Sequence, residues 1–238
     1  TLLLAGCFET TQVLTINEDG TGTYENTSDM GSILSIAKNM GAAGNDKMPV
    51  KVMDSSFSMA SMAEKIAGLS EEEKALLQRG AMNVKMNLDD EVMKTSMSFS
   101  FTNADDIQKF NHLAGKVMME SVKSQLPEDM PMGADQLPAP SSFDDYYNLE
   151  VSKDEMKRKL NKDKYSGVNS DEFLNGLKQA GSMGIPVTTT YIINLPRPAE
   201  KVEGKNAKLS EDKMKVTITA GMDDFFDNPE SLEFKIKF

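Results

Sequence analysis

Apolar and polar side chains alternate from Gln12 to Asn17 and again from Thr21 to Thr27, and Glu18-Asp19-Gly20 separates the two runs. Successive strand residues point to opposite faces, and Asp-Gly favours tight hairpin turns, so this stretch predicts two paired strands. The segment NEDGTG is read as a turn and not a calcium loop, because Thr15 and Asn26 stand where that loop needs carboxylates. From Met30 to Met40 the period lengthens: Ile33, Leu34, Ala37 and Met40 predict a helix that stops at Gly41. A loop is expected over Gly41–Pro49. Phe57, Met59, Met62 and Ile66 then predict a second amphipathic helix from Met53 to Ala67. Ser70 and Glu73 fit a capping box, opening a short helix that closes near Gly80.

The next stretch returns to period two. Met82, Val84, Met86 and Leu88 alternate with polar residues, as do Met93, Thr95, Met97, Phe99 and Phe101, with Asp89-Asp90-Glu91 between them. This is the pattern of a hairpin covered on one face. Asn103 is placed to cap a helix whose buried stripe runs through Ile107, Phe110, Leu113, Ala114, Val117, Met118 and Val122. Between Gln125 and Ser142 four prolines interrupt all periodicity. Beyond lie a strand at Tyr146–Val151 and a charged stretch, 152–164. That stretch fits either a second strand or a helix opened by Ser152 and Glu155, with the hairpin preferred. A helix is expected from Ser170 to Met183. Strands follow through Val187–Leu195, Met214–Ala220 and Leu232–Phe238, with one helical turn at Met222–Asn228.

These elements predict an α+β fold: a mostly antiparallel sheet built from hairpins, with amphipathic helices packed on one face. Five segments are expected. Residues 1–6 are the remnant of an export signal, 7–11 a lipidated tether, and 12–124 an N-terminal α+β half. Residues 125–142 form a proline-rich linker or loop, and 143–238 a C-terminal α+β half completing the same sheet.

Composition narrows the function. A net charge of -11 argues against nucleic acid, whose phosphates call for Lys/Arg patches. No run approaches the roughly 18 apolar residues of a membrane-spanning helix. With a single cysteine among 238 residues, an internal disulfide and a multi-thiolate zinc site are both excluded. Eighteen methionines and no tryptophan point to a core filled by flexible thioethers.

The cysteine itself ends an apolar run, TLLLAGC. Leu4-Ala5-Gly6-Cys7 resembles the lipobox of bacterial lipoproteins, in which the signal is cut before a cysteine that carries a diacylglyceryl group. The resemblance implies cleavage after Gly6 and acylation of Cys7. Two or more acyl chains then anchor stably, at about 0.8 kcal/mol per buried methylene. Phe8-Glu9-Thr10 carries neither the aspartate resembling an inner-membrane retention signal nor an acidic run resembling a surface-export signal. The implied address is the outer membrane, facing the periplasm. The C-terminal stretch YIINLPRPAEKVEGKNAKLSEDKMKVTITAGMDDFFDNPESLEFKIKF resembles the closing strands of LppM-type envelope lipoproteins, and the strand–DG turn–strand after Cys7 is similar too. That resemblance implies a lipid-anchored α+β domain with a binding cleft and supplies no catalytic residues.

Few residues suggest catalysis. His112, the sole histidine, falls mid-helix with no nucleophile motif around it. Acidic pairs recur at Asp89-Asp90-Glu91, Asp105-Asp106, Asp144-Asp145 and Asp223-Asp224. With Asp227, the last pair is the best metal candidate, Asp223, Asp224 and Asp227, though turns of this kind are ordinarily solvated. Met130-Pro131-Met132 and the Met59/Met62 pair suit copper less well than a core does. The expectation is a non-catalytic, lipid-anchored envelope module without cofactor or metal. It would bind another envelope protein, or hold a hydrophobic ligand between sheet and helices against the methionines of 53–62 and 82–97. The alternative is a glycan or lipid hydrolase using two carboxylates.

Overall fold

The structure, a computed structural model, describes residues 8–31, 52–64, 66, 68–123, 141–182 and 186–238. Cys7, the 1–6 signal remnant, all but the first two residues of the helix expected over Met30–Met40, the Gly41–Pro49 loop and the proline-rich stretch up to residue 140 lie outside the described residues. The fold is α+β, with twelve strands in two mostly antiparallel sheets among the described residues.

β1 (Phe8–Ile16) and β2 (Gly22–Asp29) form the first hairpin, with Leu14 opposite Tyr24. The Asp19 carboxylate accepts the backbone N–H of Thr21 at 3.0 Å and its hydroxyl at 2.7 Å, and Gly20 takes the left-handed φ of 85° that the turn requires. Residues 8–11, expected to form a tether, are therefore strand: Phe8 N–H already bonds Pro186 O at 2.8 Å. The expected helix over Met53–Ala67 is also corrected. Residues 52–58 are strand β3 (Val52–Ser58), and only α1 (Met59–Ala63) is helical. α2 (Glu71–Gln78) starts at Ser70 with both halves of the capping box formed. β4 (Gly80–Asn87) and β5 (Val92–Phe101) follow as read, and β3 pairs with β4. α3 (Ala104–Lys123) packs its apolar stripe beneath the sheet, where Phe110 stacks on Phe99 at 3.9 Å.

A 3-10 turn at Phe143–Tyr146 leads into β6 (Tyr147–Val151) and β7 (Glu155–Leu160), so the charged stretch is mainly strand. α4 (Lys162–Tyr165) and α5 (Glu172–Ser182) precede β8 (Val187–Asn194). Two short strands, β9 (Lys201–Glu203) and β10 (Ala207–Leu209), were not expected; β11 (Lys215–Gly221), α6 (Met222–Asp227) and β12 (Phe234–Lys237) complete the order.

The C-terminal half does not enter a single sheet. β8, β10 and β11 extend the large sheet, ordered β10-β11-β8-β1-β2-β5-β4-β3, whereas β6, β7, β12 and β9 form a second sheet. The joint between halves is β1 against β8, in parallel register with Leu14 beside Ile193. Two cores result. One lies under the large sheet around Phe99, Phe101 and Phe110; the other gathers Phe143, Tyr147, Leu174, Phe225 and Leu232 near the start of β8.

Candidate functional site

Between the two sheets, with α3 alongside, lies a cavity of about 50 Å³. The large sheet contributes Gln12 and Leu14 from β1, Tyr24 from β2, and Tyr191 and Ile193 from β8. α3 adds Ile107, Gln108 and Asn111. The small sheet closes the other side with Tyr147 and Leu149 from β6, Met156 and Arg158 from β7, and Phe234 from β12. Asp144 enters from the 3-10 turn.

Arg158 is the unusual group, because its side chain is only 3% exposed. β7 alternates inward Met156 and Arg158 with outward Lys157 and Lys159, so the strand period itself turns this cation into the core. The guanidinium carbon lies over two rings, 4.1 Å from the centre of Tyr147 and 4.3 Å from that of Tyr191. Such stacking is worth up to about 2 kcal/mol per ring when desolvated. Its Nη2 stands 3.0 Å from Asp144 Oδ1. Nε and Nη1 are buried and make no hydrogen bond of good geometry; the Nη2 approach to Asp144 is an ion pair outside that geometry, and the Tyr191 hydroxyl adds a weak contact to the guanidinium. Burial works against the charge, yet Tyr191 and Asp144 hold the guanidinium's pKa above its ordinary value.

Asp144 is well served by comparison. Gln12 Nε2 donates to its Oδ2 at 2.6 Å and the Tyr191 hydroxyl to its Oδ1 at 3.2 Å. Gln108 donates to the Tyr147 carbonyl at 2.6 Å, and Asn111 to the Tyr24 hydroxyl at 3.1 Å. Tyr24 keeps its proton: burial, and then the Asp144 charge, push its pKa well up. Next door, burial raises Asp145, against the Ser142 N–H it accepts and with the Asp144 charge adding to the rise.

The residues singled out in the sequence lie elsewhere. Cys7 and Met130–Met132 are outside the described residues. His112 is exposed on α3. Asp223 and Asp227 are exposed on α6, while Asp224 accepts the Gly221 N–H at 3.0 Å as a helix cap. Among the described residues no three His, Cys, Asp or Glu side chains converge as metal ligands. Met59 and Met82 belong to the core under the large sheet, and the one methionine lining the cavity is Met156. Of the acidic pairs, Asp144-Asp145 reaches the site. Arg158 was missed, although an arginine at an inward position of the EMKRKL alternation was the available signal.

No protein-family model matches this chain, and no curated protein matches it in sequence. Among solved structures it is similar to the NMR structure of the folded domain of LppM from Mycobacterium tuberculosis. The identity is 9% over 98% of this chain and 91% of that one, with a TM-score of 0.38. A likeness at that level assigns no function.

Proposed function

We propose that the protein is a non-catalytic binding module of the bacterial envelope, tethered through acylated Cys7 to the periplasmic face of the outer membrane. It holds the apolar part of a small ligand in the cavity between its sheets. The observation that carries the binding reading is a buried guanidinium with unserved donors in the wall of an otherwise largely apolar cavity. A native interior pairs nearly all such donors, so an unpaired set marks a place where something else completes the structure. Two-carboxylate hydrolysis has less support. That chemistry needs two carboxyl groups flanking the bond. Asp144 is the single carboxylate among the lining residues, and Arg158, Gln12 and Tyr191 already engage it.

β1 starts at Phe8, so an acyl chain on Cys7 would join the sheet with no linker and hold the domain against the bilayer. Cys7→Ser should move the protein from the membrane fraction to the soluble periplasm; unchanged sedimentation with membranes would overturn lipidation. Native mass spectrometry after incubation with an envelope lipid extract should show an added mass. A bare chain throughout would overturn ligand binding and favour a protein partner.

A further inference from the structure

We propose that the ligand presents an uncharged carbonyl oxygen, as in an ester, to one of the idle Arg158 donors, Nε or Nη1, with an aliphatic body against the apolar wall. The inference rests on the cavity being a binding site and names the chemistry it selects.

Charge decides between an anion and a neutral acceptor. Arg158 and Asp144 stand 3.0 Å apart and cancel each other, and Gln12, Gln108 and Asn111 add no charge. An entering carboxylate or phosphate would leave a net negative charge in a site where the guanidinium is 3% exposed. Uncompensated buried charge costs several kcal/mol. A carbonyl oxygen serves an idle donor and leaves the balance at zero.

Among the cavity's donors, Arg158 has the least-served nitrogens. Gln12, Gln108 and Asn111 each donate to a protein acceptor already. The guanidinium carbon lies over the rings of both Tyr147 and Tyr191, and an acceptor meets the group edge-on, in its plane. That is the direction in which its N–H bonds point.

Size limits how much of the ligand enters. A cavity of about 150 Å³ holds benzene, and this one measures about 50 Å³. It seats a carbonyl and a few carbons, or a few waters. A longer body extends beyond it.

The test uses the full chain at pH 7, with monobutyrin as the uncharged ester and butyrate as its anionic counterpart. Methyl NMR signals of Ile107, Leu149 and Ile193 report occupancy. Monobutyrin should shift them, and butyrate should bind at least tenfold more weakly. In Arg158→Met/Asp144→Asn, which preserves the net charge but removes the donors, monobutyrin should bind at least tenfold more weakly than to the unaltered chain. Butyrate binding as tightly as monobutyrin overturns the inference and leaves the cavity a ligand site. So does monobutyrin affinity that the double variant leaves unchanged. If neither compound shifts the signals but an envelope lipid extract does, the carbonyl assignment alone is lost. If the extract also fails, water completes Arg158, and the binding reading falls with the inference. Should far-UV circular dichroism show the double variant unfolded, the comparison on the unaltered chain decides.

Discussion

Arg158 shows how one side chain can hold a polar centre inside an apolar layer. Its two stacking rings come from different sheets, Tyr147 from the small one and Tyr191 from the large one. Its counter-ion comes from the turn before β6. Removing only the counter-ion strands a cation that water cannot reach. Asp144→Ala should therefore destabilise the fold by about 3–5 kcal/mol. Arg158→Met/Asp144→Asn should cost much less, since a buried pair replaced together is often near neutral. Urea denaturation followed by far-UV circular dichroism measures both, and equal losses for the two would show that the pair is not the source. The participants stood in plain view in the sequence. Asp144 read as one of several acidic pairs and Arg158 as part of a charged stretch, because nothing local tells an inward charge from an outward one.

The elements divide by whether their own residues decide them. Ser70 and Glu73 close a capping box whatever surrounds them, so α2 was legible. The Asp19-Gly20 turn and the hairpin of β4 and β5 were legible for the same reason. β3 was not: Met53 and Phe57 are four apart, a spacing that shares one face in a helix and in a strand alike. The free edge of β4 settles the matter by pairing Phe57 opposite Met82. A close contact holds this corner. A Cβ on Gly80, at the start of β4, would lie 2.6 Å from Phe110 Cε2 and 3.0 Å from Met59 Sδ. Both side chains are fully buried, and Phe110 is pinned by its stack on Phe99. Gly80→Ala should cost about 1–3 kcal/mol in urea denaturation. A variant as stable as the original would mean that the Phe110 ring can withdraw.

At the scale of the whole molecule, β1 is the seam. It pairs antiparallel with β2 on one side and parallel with β8 on the other, joining strands from opposite ends of the chain. A chain ending at residue 124 would leave that edge of β1 open and lose Ile193 and Tyr191 from beside Leu14 and Gln12. It should lack a cooperative urea transition, whereas the full chain should unfold in one step by circular dichroism and tyrosine fluorescence. A fragment with its own sharp transition would show the halves to be independent. The sequence by itself determined the α+β class, most strands and the helices with complete caps or stripes, since turn chemistry and periodicity act within a few residues. Tertiary structure alone decided the parallel joint, the division into two sheets and the meeting of Arg158 with Asp144 and Tyr191. Those contacts link residues beyond the reach of any local pattern, and their free energy comes from burial and pairing that arise only when the sheets close on each other.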